Sequence, residues 1–257
     1  MKFISKQFLT FLLCILLMRG LSASEVHSES ESGTPFALVE LFTSEGCSSC
    51  PPAEELFGEI AGQARAAGQP IFTVAFHVYY WDRLGWKDPF SDSRFTQRQY
   101  TYATILNSAS VYTPQMIVNG RDSFVGSDHQ KATSEIKKAL TRSSRATVFL
   151  QVRAIENSSA YQVRYGVSPV PTGAVLNVAF TQDGLRTKVT AGENAGHTLH
   201  HEGVVRAFQS LSLEPGGKGE GVLEIRLPSL VKGNGHVIGY LQDPKTMEIL
   251  GASAVEI

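Results

Sequence analysis

The texture of the chain changes near residue 145, and that change limits the folds open to it. From Phe36 to about Arg142, short β-branched or aromatic runs alternate with runs of helical period, and beyond Arg145 the helical period disappears. The first texture predicts an α/β layer arrangement. The second predicts about eight short strands separated by turn residues, as in an all-β sandwich. The expected organisation is a signal segment over 1–24, a flexible leader over 25–35, an α/β domain over 36–143 and an all-β domain over 144–257.

The N-terminus sets the compartment. Lys2 and Lys6 precede an apolar run from Phe8 to Met18 and the small residues Leu21-Ser22-Ala23-Ser24, the pattern of a cleavable secretory signal. The run holds about eleven residues against the roughly twenty needed to span a bilayer, and no later segment is apolar enough to span. Cys14 leaves with this segment, so the mature chain holds two cysteines in a secreted or periplasmic setting. Loss of Lys2, Lys6 and Arg19 takes the formal charge from −1 to about −4, a mild acidity that argues against nucleic acid. Ser, Glu and Gly crowd positions 24–34, hence the expectation of a mobile leader.

In the first half, Ala37-Leu38-Val39-Glu40-Leu41-Phe42 reads as a strand. Pro51 and Pro52 suit the first turn of a helix whose apolar face is Leu56, Phe57, Ile60 and Ala64, stopped by Gly68. Ile71 to His77 reads as a second strand, Asp92 to Asn107 as a helix, and Met116–Val118 with Ser123–Val125 as a hairpin around Asn119-Gly120. Ser127 or Asp128 can cap a last helix carrying Ala132, Ile136 and Leu140, for an order β-α-β-α-β-β-α. The strands expected afterwards include 147–155, 161–167, 174–180, 204–213, 221–227, 237–241 and 249–255.

The chemistry centres on Cys47-Ser48-Ser49-Cys50, placed after a strand and at a helix start. Backbone N–H groups and the helix dipole there favour a thiolate. Lowering a thiol pKa from about 8.5 to about 7 takes roughly 2 kcal/mol. On this reading Cys47 attacks a partner's disulfide or thiol and Cys50 resolves the mixed disulfide, so the partners are protein thiols or disulfides and no cofactor is needed. Two other readings compete. One is a short structural disulfide, which gains little entropy from so small a loop. The other is half of a zinc site, which lacks a second Cys or His pair. Tyr112-Thr113-Pro114-Gln115 precedes the strand Met116-Ile117-Val118, where thioredoxin-like proteins carry a cis proline opposite the cysteine pair. The alternative is a trans proline opening an edge strand.

The chain resembles the secreted thioredoxin-like proteins of domain-of-unknown-function family 1223. The resemblance rests on Val39-Glu40-Leu41-Phe42-Thr43-Ser44-Glu45-Gly46-Cys47-Ser48-Ser49-Cys50-Pro51-Pro52-Ala53 and His77-Val78-Tyr79-Tyr80-Trp81-Asp82-Arg83-Leu84-Gly85-Trp86-Lys87-Asp88-Pro89-Phe90. It continues through Tyr112-Thr113-Pro114-Gln115, Val118-Asn119-Gly120, Gly192-Glu193-Asn194 and the 201–206 segment. It implies a thioredoxin-like fold and export; Tyr79 departs from the aspartate common at that position in the family.

Glu40, seven positions before Cys47, lies near where thioredoxins hold a proton-relaying carboxylate, although the register differs by one and a one-residue slip reverses the face. His77 leads into an aromatic loop with Tyr79, Tyr80, Trp81 and Trp86, plus Asp82 and Asp88, either a docking wall beside Cys47 or a packing element. With Thr113 and Pro114, His77 and Trp81 are the candidate substrate-binding residues. His77 with Cys47 and Cys50 would also suit Cu(I), a third reading as a copper chaperone. His197, His200 and His201 form a local cluster, the best metal candidate outside the cysteine site, but His200 and His201 are neighbours that point to opposite faces if extended, which makes them poor joint chelators and favours a solvated or interface role. A non-catalytic binding or assembly module, with a structural disulfide and the β-rich half as contact surface, is the alternative from another functional class.

Overall fold

The structure is a computed structural model and describes residues 26–30, 33–214, 219–228 and 235–257. The expected signal segment, residues 1–24, lies outside them, as do the turn residues 215–217 and 232–234.

The local elements form where their boundary chemistry directs. Helix α1, Pro51–Ala67, starts on its prolines and ends at Gly68, which takes the left-handed conformation with φ 60°. Asp92 caps α2, Ser93–Ile105, by accepting the Arg94 N–H, and Asp128 caps α3, His129–Ala139, by accepting the Lys131 N–H. Around them run β1 (Val26–Glu29), β2 (Ala37–Thr43), β3 (Ile71–His77), β4 (Gln115–Val118) and β5 (Asp122–Val125). The second half supplies β6 (Thr147–Ala154), β7 (Ala160–Ser168), β8 (Val175–Gln182), β9 (Leu185–Lys188) and β10 (Thr198–His201). It continues with β11 (Val204–Ser212), β12 (Glu220–Arg226), β13 (Gly235–Gln242) and β14 (Ile249–Glu256).

The expectation of a thioredoxin-like α/β domain followed by a sandwich-like half is overturned by how these strands pair. The described residues hold fourteen strands against three α-helices. One eight-stranded sheet, ordered β14-β13-β8-β11-β3-β2-β4-β5, is shared by both halves. It closes where β11 joins β3 in parallel at Val204 and Ala75, with the Ala75 N–H donating to the Gly203 carbonyl at 2.8 Å. A second sheet, β1-β6-β7-β12, packs on the large one to give a β-rich, sandwich-like fold. Part of the expected mobile leader is strand β1, which pairs antiparallel with β6 through Val26 to Glu29. Its composition is polar because backbone hydrogen bonds, rather than burial, hold it at a sheet edge.

Register sets which face each side chain takes. Ala75 pairs with Val204 and Val204 with Gln182, so these share one face, and with it the alternate residues Phe180 and Val178. On that face α1 and α3 cover one end of the sheet, over Val39, Leu41 and Met116. The four-stranded sheet covers the other end, over Leu176, Val178 and Phe180. On the opposite face α2 packs Phe95 and Tyr102 against Leu38, Phe42, Phe76, Ile238 and Tyr240.

Glu40 projects into that second face, where it is fully buried. Arg98 of α2 donates to it from Nε at 2.7 Å, and Tyr102 donates its hydroxyl to the other oxygen. Arg98 also donates to Gln242 Oε1 of β13 at 3.0 Å and lies 5.2–5.6 Å from the ring centres of Phe76, Tyr102, Phe208 and Tyr240. Burial opposes the charge on Arg98, yet the Glu40 carboxylate holds its pKa above the usual guanidinium value. Removing one partner of such a pair strands the other charge in the core. Glu40→Ala is expected to lower the unfolding free energy by about 3–5 kcal/mol in urea titration. At the joint itself, Gly203 has φ +61°, and a Cβ there would stand 3.1 Å from Phe57 Cε1 and from the Thr73 carbonyl oxygen. Gly203→Ala is expected to cost about 2 kcal/mol in the same measurement.

Candidate functional site

Strand β2 delivers the chain to a tight turn, with the Cys47 N–H donating to the Ser44 carbonyl at 3.1 Å and the Cys50 N–H to the Cys47 carbonyl at 3.1 Å. Cys50 is the N-cap residue of α1 and is joined to Cys47 by a disulfide with a Cα–Cα distance of 5.4 Å. Both cysteines are fully buried while Ser48 and Ser49 are exposed. The turn thus presents its serines and screens its sulfurs.

The screen comes from both sides. Gly46 lies against Trp81, since a Cβ on Gly46 would stand 3.2 Å from the Trp81 Cβ. The Trp81 indole in turn donates to Thr113 Oγ1 at 2.8 Å. The Thr113-Pro114 bond is cis, and Pro114 sits close to Ala53 of α1 around Gly126. Cys47, Cys50, Trp81, Thr113 and Pro114 are therefore brought together. The loop between β9 and β10 covers the turn from the second half. Asn194 donates from Nδ2 to the carbonyls of Glu45 at 2.8 Å and Cys47 at 3.1 Å, and Glu193 Oε2 accepts the Ser48 N–H at 3.0 Å. Hydrogen bonding from the Ser48 side chain, and after it from the Ser48 N–H, holds the Glu193 carboxyl below its ordinary range.

Beneath the turn lies a buried acid–imidazole network. Glu54 follows Cys50 by one helical turn and accepts from Thr43 Oγ1 at 2.6 Å. His201, at the end of β10, bonds Glu54 through Nδ1 and faces Glu45 Oε1 with Nε2 at 3.0 Å. Burial alone would lower the His201 pKa, but hydrogen bonds and charge attraction from Glu45 and Glu54 outweigh it and push it up to about 10. Trp86 Nε1 donates to the other Glu45 oxygen at 2.7 Å. His77 places Nδ1 2.7 Å from Asp88 Oδ2, the oxygen that also accepts the Glu45 N–H at 2.8 Å. Burial would raise the Asp88 carboxyl, and attraction and hydrogen bonding from His77, with backbone N–H groups, reverse it to a net lowering.

Two sequence-predicted residues stand elsewhere than expected. Glu40 is on the face opposite α1, so the carboxylate one turn from Cys50 is Glu54 and the proton-relay expectation for Glu40 is replaced by its ion pair with Arg98. His77 is drawn to Asp88, His201 and Glu54, while the two cysteines are tied to each other; the Cu(I) ligand set of Cys47, Cys50 and His77 does not form. Strand β10 does send His200 outward and His201 inward, as the alternation requires. Sequence reasoning gave no site role to Glu45, Glu54 and Asn194, and named Asp88 only as part of the aromatic loop. The available signal was the spacing of Glu45 two residues before Cys47 and Glu54 four after Cys50.

A groove of about 670 Å³ on the four-stranded sheet, lined by Phe149, Arg164, Tyr165 and Val170, lies apart from the cysteine turn. No curated protein matches the chain. The crystal structure of an Agrobacterium tumefaciens protein is similar, at 25% identity over 88% of this chain and 95% of that chain, with a TM-score of 0.61. The family described as protein of unknown function (DUF1223) matches residues 38–242, spanning the cysteine turn, the aromatic loop and the hairpin that covers them, and the chain belongs to it.

Proposed function

We propose that this chain is an exported thiol–disulfide oxidoreductase that exchanges electrons with protein thiols or disulfides through Cys47 and Cys50. The observation that carries the reading is the disulfide's position, at the N-terminus of α1 and flanked by Trp81 and the Thr113-Pro114 loop. A bridge of sequence separation 3 stabilises a fold by only about 2 kcal/mol in the chain-entropy estimate, against roughly 5 for a loop of a hundred residues. The helix N-terminus favours the thiolate that exchange must release. The N-terminal sequence and the oxidised pair both suit a secreted or periplasmic setting.

In the oxidising direction a partner thiolate attacks Cys47 Sγ, the Cys47–Cys50 bond breaks, and Cys50 departs as a thiolate that takes up a proton. The partner's second thiolate then attacks its own sulfur in the mixed disulfide and releases Cys47. The partner leaves as a disulfide and this chain as a dithiol, having gained two electrons and, once both thiolates are protonated, two protons. Run backwards, the same steps reduce a partner disulfide. Both sulfurs are buried, so attack requires the Glu193-Asn194 flap to lift, and Gly192 and Gly196, with φ +76° and +89°, flank it. A second reading, a binding or assembly module with a structural disulfide, draws its support from that same burial.

The reduction potential against glutathione separates them: a value above about −300 mV is expected, and one well below it marks an inert bridge. With Cys50→Ser, Cys47 is expected to trap partners as mixed disulfides in the native compartment, and trapping of none together with a low potential sinks the oxidoreductase reading. Asn194→Ala removes two flap hydrogen bonds worth about 1 kcal/mol each. Reduction by dithiothreitol, followed by thiol release, is expected to accelerate roughly tenfold to thirtyfold. An unchanged rate means the flap does not gate the sulfurs.

A further inference from the structure

His77 is 1% exposed, and its Nε2 has no hydrogen-bond partner. Buried polar nitrogens are rarely left so. The ring cannot be turned at no cost, because Nδ1 is engaged by Asp88 at 2.7 Å. The His77 ring meets that of His201 with centres 5.2 Å apart, and one ligand atom from each of His77, His201 and Glu54 lies within 4.8 Å of the others.

We propose that His77 Nε2, His201 Nδ1 and Glu54 Oε2 bind one divalent cation of the zinc class. Each imidazole has a carboxylate at its far nitrogen, Asp88 for His77 and Glu45 for His201. That is how metal-binding histidines are aimed and kept in the right tautomer. The two carboxylates are themselves braced: Asp88 accepts the backbone N–H groups of Glu45 and Phe90, and Glu45 accepts the Trp86 indole N–H. Thr43 holds the remaining Glu54 oxygen. The cluster sets three buried carboxyl groups against two imidazoles, an excess of acidic over basic groups. A divalent cation offsets that excess.

The donor set selects the ion. Two imidazole nitrogens and one carboxylate oxygen suit zinc, whereas Mg²⁺ prefers oxygen donors and Cu(I) prefers thiolates, which the disulfide withholds. Metal–ligand bonds of about 2.0–2.1 Å in a tetrahedral arrangement place ligand atoms roughly 3.3 Å apart, so His77 needs to close in by no more than about 1.5 Å while His201 Nδ1 and Glu54 Oε2, hydrogen-bonded to each other, move apart to admit the ion. The ion takes the place of the proton between His201 Nδ1 and Glu54 Oε2, and one proton is released as it enters. Three protein ligands leave a fourth position open. The site lies below the cysteine turn and does not depend on whether the disulfide exchanges.

The test uses the purified oxidised protein, stripped with a chelator and titrated with Zn²⁺ against a chromophoric zinc indicator. One Zn²⁺ per chain with an apparent Kd below about 1 µM is expected, with millimolar Mg²⁺ failing to compete. His77→Gln, which keeps an amide to face Asp88, is expected to weaken binding at least about 100-fold, and Asp88→Asn about 10- to 100-fold. The Cys47→Ser/Cys50→Ser protein is expected to bind as the parent does. Zn²⁺ should raise the Tm of the parent and of the double cysteine variant but not that of His77→Gln, which also reports that each variant is folded. A parent protein that binds no Zn²⁺, or a folded His77→Gln that binds it equally well, overturns the proposal.

Discussion

The fold hangs on a short joint. Strands β3 and β11 pair in parallel at one register position, Ala75 with Val204, and this is where the eight-stranded sheet passes from the first half of the chain to the second. So brief a ladder supplies few hydrogen bonds, and the side chains on its two faces complete the connection. On the α2 face Arg98 ties Glu40 of β2 to Gln242 of β13 within a ring of aromatic residues. On the α1 face His201, at the end of β10 and three residues before β11 begins, locks onto Glu54 and Glu45. Gly203 lets the backbone come close enough to Phe57 and Thr73 for the two strands to meet.

Much of this was legible locally and little of it globally. The prolines and Gly68 delimit α1, Asp128 caps α3, and the period-2 runs of the second half locate most of its strands, because each of these signals acts within a few residues. The pairing of β11 with β3 joins positions more than a hundred residues apart, and hydrophobic periodicity carries no information about such a partner. That is why the two textures read as an α/β domain and a sandwich when they share one sheet. Strand β1 escaped notice for a related reason: Val26-His27-Ser28-Glu29 is held by its backbone and shows no apolar alternation.

The site was legible to a similar degree. Cys47, Cys50, Trp81, Thr113 and Pro114 converge because strand ends and turn chemistry, both readable in sequence, place them there. Glu40 does not join them, since the period-2 alternation of a strand sends it to the face opposite Leu41 and α1. His201 could not be paired with Glu54 from sequence alone, because the contact exists only once β10 folds onto the N-terminal turn of α1.

These placements make the cysteine turn a product of both halves. Glu45 leaves the turn to meet His201, Glu54 descends from the helix that Cys50 caps, and Asn194 reaches back over the turn to the carbonyls of Glu45 and Cys47. The β9–β10 hairpin therefore holds the turn from above through Asn194 and from below through His201. On the proposed exchange reaction, opening the flap would remove the upper contacts and leave the lower ones in place, exposing the sulfurs without unfolding the joint. By linkage, whatever occupies the exposed sulfurs holds the flap open by the same free energy with which an open flap favours that occupant. If the cysteine pair exchanges as proposed, the hairpin is the element through which the second half would control access to it.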